Sequence, residues 1–333
     1  MSTHTITHPR IGGFHLLIGG MLGLLLAGGC NRREPSPPSA QTDSSGAIRL
    51  TDVMGGRLVL NGPARKVISL APNLTEIVYA LGAGDRLIGR TSFCNYPPEA
   101  LQLPPVADML SINFEKIIGL KPDLILMTKV GNTNGNYDKL RDLKLPAYVM
   151  RQDSVAQTLT TIDTIGILLG KVTQARQMTS ALRKTIDSIT ALAKQGEKVS
   201  TFIVIDKSPL ITASRGFLAE EIELAGGRNI AAGATENYPK YNREELLLQN
   251  PDVILMPGTS WDAVPALLAD YPEWKDLKAV KGNRVYIIPL DIAIRPGPRI
   301  GQGMKAIYEA LHGAEPKALL KKYGADIVPG SGM

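Results

Sequence analysis

Residues 113–127 read NFEKIIGLKPDLILM and residues 242–256 read NREELLLQNPDVILM, a match of seven positions in fifteen without a gap. Each copy opens on Asn, a strong helix N-cap, and puts Glu at the second helical position. Each then stops near a Pro-Asp, after which an aliphatic run enters a sheet. Solenoid repeats recur every 20–50 residues or so. Copies that start at 113 and 242 are too far apart for that, so they mark one element duplicated in two larger units. Recurring helix–strand chemistry alone would not require the ungapped agreement.

The surrounding pattern fits two α/β units. Short β-branched runs alternate with helical periodicity, the signature of sheets covered by helices. The spacing predicts a hairpin over 48–60 around Gly55-Gly56, strands at 66–70, 86–91, 123–128 and 147–151, and helices at 74–81, 113–120 and 137–143. Asn73 and Thr75 are candidate caps for the first helix. Residues 154–170 and 171–194 then form a long helical stretch without Pro, with apolar or small residues at Val172, Ala175, Met178, Leu182, Ile186, Ile189 and Ala193. The second part extends roughly 36 Å at 1.5 Å per residue, about the span of a small domain. A second α/β series runs from Thr201 to a helix over 304–311. The expected fold is therefore α/β: two Rossmann-like lobes joined by one long rigid helix, with a ligand cleft beyond the carboxyl ends of the strands.

The start of the chain is targeting sequence. A short polar segment with Arg10 precedes an apolar, Gly-rich run over 11–27, and then Gly28-Gly29-Cys30. Small residues before a Cys resemble the lipobox of bacterial lipoproteins, in which the Cys is lipidated after cleavage. Ala27 stands where Leu is commonest. The run is shorter than the ~20 apolar residues that span a bilayer. Residues 31–47 are Pro-, Ser- and polar-rich and read as a tether. The expected division is a signal peptide over 1–29, an anchored tether over 30–47, an N-terminal lobe over 48–152, a helical linker over 153–197, and a C-terminal lobe with its tail over 198–333. An acylated Cys30 would leave Cys94 without a disulfide partner, as either a site thiol or a buried filler.

Composition narrows the function. The net charge is +6 and aromatics are 5% of the chain, with no dense basic block, which argues against nucleic-acid binding. No G-x-S-x-G elbow, P-loop or H-E-x-x-H occurs, so an enzyme is not expected. A secreted hydrolase or scaffold lipoprotein is the alternative of another class, separable by turnover against saturable binding.

Four stretches together carry a family resemblance: VISLAPNLTEIVYALGAGDRLIGRTSFCNYPPEA (67–100), the 113–127 element, LAEEIELAGGRNIA (218–231) and RPGPRI (295–300). In this order they resemble the cobalamin and ferric-siderophore binding proteins of ABC importers, over roughly residues 48–313, and come closest to the cobalamin branch. The resemblance implies a monomeric, non-enzymatic carrier with no cofactor of its own. It would hold cobalamin, another corrinoid, or alternatively a ferric siderophore or haem, and deliver it to a permease dimer with its ATPase. A lipid anchor would hold it on the membrane, facing the periplasm or cell exterior. By position, Phe93, Met109, Tyr238 and Arg295 would contact the ligand; Met109 stands where that branch often has Trp. Phe93 and Tyr238 also fit core packing, and Arg295 also fits a solvated surface. Glu115 and Glu244 would each meet an arginine of a two-fold symmetric permease, with Glu245 able to share the second role. Helix-dipole stabilisation is the local alternative for these glutamates. Metal-binding relatives cluster several histidines, whereas this chain has only His4, His8, His15 and His312, so no bare-metal site is expected. Tyr96, Tyr137, Tyr238 and Tyr241 keep haem or iron-complex binding open.

Overall fold

The computed structural model describes residues 41–42, 46–108, 111–130 and 135–324. Cys30, most of the expected tether, and Met109 lie outside the described residues.

Strands β1 (Gln41–Thr42), β2 (Ile48–Thr51) and β3 (Arg57–Leu60) form a small antiparallel sheet, and alternate residues of β2 and β3 are buried. The turn between β2 and β3 is held by Asp52, whose carboxylate accepts the N–H groups of Met54 (2.9 Å) and Gly56 (2.7 Å).

The first parallel sheet follows. Strands β4 (Val67–Ser69), β5 (Leu87–Thr91) and β6 (Pro105–Ala107) step outward in one direction; β7 (Leu124–Thr128) and β8 (Ala147–Met150) step outward in the other. Helices α1 (Pro72–Ala80), α2 (Phe114–Leu120) and α3 (Asn136–Asp142) connect them. The first four residues of β7, Leu124 to Met127, are apolar and buried on both faces, as a central parallel strand requires.

Helices α4 (Val155–Leu168) and α5 (Val172–Ala193) come next. The expected continuous stretch breaks at Gly170, whose φ of +62° ends α4 and turns the chain back. Both helices straddle both lobes. Val155 and Leu159 of α4 pack in the C-terminal core, and Ile162, Ile165 and Leu168 in the N-terminal one; α5 runs the opposite way, from Ala175 to Ile186 and Ile189. The 22 residues of α5 span about 33 Å. A helical hairpin, rather than one helix, therefore bridges the lobes. No helix among the described residues is long and apolar enough to cross a membrane.

The second lobe is built on β9 (Val199–Ile203), with a two-stranded ribbon of β10 (Asp206–Lys207) and β11 (Leu210–Ile211), then α6 (Phe217–Leu224), β12 (Gly227–Asn229), α7 (Arg243–Gln249) and β13 (Val253–Gly258). It finishes with α8 (Ala263–Asp270), α9 (Lys278–Lys281), β14 (Val285–Pro289), α10 (Leu290–Ile294), α11 (Ile300–Leu311) and α12 (Pro316–Tyr323). Its sheet is parallel, in the order β12-β9-β13-β14.

The duplicated element keeps its local chemistry in both lobes. Asn113 caps α2 through the N–H of Lys116, and Asn242 caps α7 through those of Glu244 and Glu245. Both helices end at a left-handed residue just before the Pro, Lys121 in one and Asn250 in the other. The following Asp then ties down the central strand: Asp123 accepts the N–H groups of Arg65 and Lys66, and Asp252 that of Ser200. A duplicated sequence thus meets duplicated surroundings, which shared helix–strand chemistry alone would not produce.

Candidate ligand cleft

In both sheets the chain reverses its direction of travel beside the central strand, at β4/β7 and at β9/β13. Loops at the carboxyl ends of such strands diverge there and leave a crevice for a ligand. Phe93 follows β5, Tyr238 lies in the loop after β12, and Arg295 follows β14 and α10. All three expected contact residues among the described ones therefore sit at carboxyl ends, in both lobes.

The structure brings two of them together. Arg295 Nη2 lies 3.5 Å from the carbonyl oxygen of Phe93, and the Phe93 ring is partly exposed. Tyr238 is half-exposed on a loop pinned by backbone bonds, Thr212 N–H to Pro239 O and Ser214 N–H to Asn237 O. Partial burial, and secondarily the Asp153 carboxylate, raise the Tyr238 hydroxyl above the ordinary tyrosine range. Ile294 adds an exposed apolar side chain next to Arg295.

Arg295 carries no free charge into the cleft. Its guanidinium meets Glu76 (3.1 Å), Asp291 (2.9 Å) and the side-chain oxygen of Asn95 (2.8 Å), with 11% of its side chain exposed. Glu76, only 1% exposed, also receives a two-pronged pair of hydrogen bonds from Arg299, both 2.8 Å. The Arg299 guanidinium lies over the Tyr96 ring, 4.0 Å from its centroid. Two arginines and two carboxylates form a neutral, buried cluster, with Glu76 from the N-terminal lobe and Asp291, Arg295 and Arg299 from the C-terminal one. Beside it, the side chains of Asn73 and Gln152 both donate to the Pro296 carbonyl, at 3.0 and 2.8 Å. Asn73 is therefore not a helix cap. Ala71 holds the N-cap position of α1 without a side-chain bond, and Thr75 bonds Ser69 instead. Sequence reading also missed Glu76, Asp291 and Arg299. The one visible signal was Glu76 as the only charged residue of α1.

The other candidate groups are occupied or remote. Cys94 is fully buried against Thr91, and burial pushes its thiol up, as for an unreactive filler. Burial, with Asp52 beside it, raises the Tyr137 hydroxyl to about 12. Burial and Glu245 raise the Tyr241 hydroxyl to about 12. His312 stacks on Tyr308 at the end of α11. Among the described residues, no three His, Cys, Asp or Glu side chains are grouped to hold a metal ion. The cleft presents aromatic and aliphatic surface over a charge-balanced floor. That suits capture of a bulky ligand by contact area rather than bond-making chemistry.

Comparison with known proteins agrees. Residues 67–291 match the periplasmic binding protein family. The vitamin B12-binding protein of Vibrio cholerae serotype O1 is 32% identical over 242 residues, covering 71% of this chain and 85% of its own. The ABC transporter substrate-binding lipoprotein YvrC of Bacillus subtilis is 28% identical over 309 residues, covering 88% of this chain and 95% of its own. The crystal structure of the Vibrio cholerae periplasmic vitamin B12 binding protein superposes with a TM-score of 0.65 at 30% identity, covering 75% of this chain and 97% of that one. The chain belongs to the periplasmic binding protein family, and its two sheets, helical bridge and interlobe cleft are that family's substrate-binding architecture.

Proposed function

We propose that this protein captures cobalamin or a related corrinoid outside the cytoplasm and delivers it to an ABC importer. The observation that carries the ligand class is the neutral cleft floor between Phe93, Ile294 and Tyr238. Arg295 and Arg299 are already paired to Glu76 and Asp291 among the described residues, so neither guanidinium is free for an anionic siderophore. A haem iron would need an axial ligand; Tyr137 is engaged by Asp52 and Tyr241 by Glu245, which leaves Tyr238 as the exposed phenol at the cleft. A corrin asks chiefly for broad apolar contact and hydrogen bonds to its amide edge. The names of the curated relatives support the same ligand. Phe93 and Tyr238 are the aromatic contacts in this reading, with Arg295 as the polar edge of the floor; Met109 is assigned to the ligand by its sequence position alone.

Titration calorimetry of the mature protein separates the ligands. Saturable one-to-one heat with cobalamin is expected, and none with haem or a ferric hydroxamate. Phe93→Ala and Tyr238→Ala should each weaken cobalamin binding roughly tenfold. Saturation by a ferric siderophore or haem, with no heat from cobalamin, would reject the corrinoid and keep the carrier.

Delivery rests on Glu115 and Glu244. Both are exposed, at matching places in the duplicated helices, and neither makes an ion pair among the described residues. A symmetric permease dimer presents two equal patches, and one carboxylate per lobe answers that symmetry. Glu245 is exposed like Glu244 but also interacts with Tyr241, so the docking role is assigned to Glu244. The protein acts as a monomer anchored through acylated Cys30. Cys30→Ser should abolish metabolic lipid labelling and release the protein from membranes; unchanged labelling overturns the anchor.

A further inference from the structure

We infer that the importer permease grips an apolar side chain beside each docking carboxylate, Ile118 in the N-terminal lobe and Leu247 with Leu248 in the C-terminal lobe. This rests on the docking of Glu115 and Glu244 proposed above and extends it to a second kind of contact. Helix α2 runs from the carboxyl end of β6 to the start of β7, and α7 runs from the loop after β12 to the start of β13. Each therefore begins at the cleft rim, and Glu115 and Glu244 lie on that rim. Residues three and four places further along a helix share a face with the first. From Glu115 those places hold Ile118 and Gly119; from Glu244 they hold Leu247 and Leu248.

These side chains are exposed to a degree that core packing does not explain. Ile118 is 46%, Leu247 36% and Leu248 85% exposed, while the core of each helix is met by Ile117 and Leu246, both 0% exposed. Exposed single apolar residues are common. Here they recur at equivalent places in both lobes, each one turn from an unpaired carboxylate. A partner that offers one cation beside apolar surface, twice over, fits both patches. A helix lying in a lipid surface would instead be rich in basic residues beside its apolar ones; α2 has one acid and one base, Glu115 and Lys116, and α7 has two acids and one base, Glu244, Glu245 and Arg243. The patches are unequal, because Gly119 stands where Leu248 stands in the other lobe. The C-terminal patch is therefore the stronger apolar anchor.

The test uses the cognate importer, permease dimer with its ATPases, reconstituted in lipid nanodiscs, and measures the affinity of the full mature protein. Four variants are compared: Leu248→Ser, Ile118→Ser, the pair Glu115→Arg with Glu244→Arg, and Leu192→Ser. Leu192 is an exposed leucine near the end of α5, which leads into the amino end of β9, away from the rim. Leu248→Ser should weaken importer binding about tenfold or more, Ile118→Ser less, and Leu192→Ser not at all. Cobalamin affinity and melting temperature should hold in all four. If the arginine pair abolishes binding but the serine variants bind like Leu192→Ser, the apolar grip is wrong and carboxylate docking stands. If the arginine pair also binds normally, both are wrong.

Discussion

Glu76→Ala should lower the stability of the folded chain by about 3–5 kcal/mol, the cost of leaving a buried ionic cluster with an unbalanced charge. Glu76 is the acceptor shared by Arg295 and Arg299, and among the described residues it is the one carboxylate that the N-terminal lobe brings to the cluster. Without it, two guanidinium groups remain against Asp291 alone, in a site from which water is nearly excluded. Urea denaturation reads the loss as a drop in midpoint at unchanged slope. The double variant Glu76→Ala with Arg299→Met should lose less than the sum of the two single variants, because each removes the same interaction. A loss below about 1 kcal/mol would mean that the cluster is solvated and contributes little. The same cluster, together with the α4–α5 hairpin, fixes the two lobes at two places. Small-angle scattering should therefore show almost no change in radius of gyration when ligand binds, since neither connection offers a hinge loop.

The second large effect is expected at Glu221, where Gln should raise stability, increasingly so as pH rises. Glu221 is fully buried in the C-terminal core on α6, and neither of its carboxyl oxygens has a hydrogen-bond partner. Gly303 on α11 packs beside it; a Cβ there would be only in ordinary contact with Glu221 Oε1, at 3.4 Å, but would clash with the Ile292 carbonyl oxygen at 2.3 Å. Burial first, and then the neighbouring Glu220, hold the Glu221 carboxyl well above the usual glutamate range. The folded state therefore keeps a proton that the unfolded chain releases near pH 4.3 or so. The stability this proton confers is complete below that pH and is lost as pH rises through the window up to the raised folded value. The slope across the window is at most about 1.4 kcal/mol per pH unit. Glu221→Gln has nothing to titrate, so the two proteins should be close at pH 4 and diverge towards pH 8 in favour of Gln. The carboxylate of neighbouring Glu220 accepts the Val155 N–H at 2.8 Å. Equal stability of variant and parent at both pH values would show that the Glu221 carboxyl is ionised in the folded protein.

What the sequence determined by itself was whatever depends on near neighbours along the chain. Asn113 and Asn242 cap helices because their side chains reach N–H groups two or three residues on, and that geometry travels with the duplicated element wherever it lands. The aliphatic runs of β7 and β13 read as strands of an α/β fold, and the order of elements placed Phe93, Tyr238 and Arg295 in loops at carboxyl ends before any side-chain position was known. The tertiary structure alone decided which charges meet. Glu76 and Arg299 are 223 residues apart, and nothing in their local spacing announces the pair. Arg295 reads as a free cation until the second lobe folds back and presents Glu76 to it. Asn73 has the position and chemistry of a cap, yet it spends its amide on Pro296 because packing brings that carbonyl closer to its donor. The helical bridge shows the same division. Its periodicity was plain over residues 154–194, but only the fold shows that the chain reverses at Gly170 and lays two helices across both cores. Local propensity sets helix and strand through bonds a few residues long. Partners across the cleft are selected by burial, which counts charges and volumes from the whole chain at once.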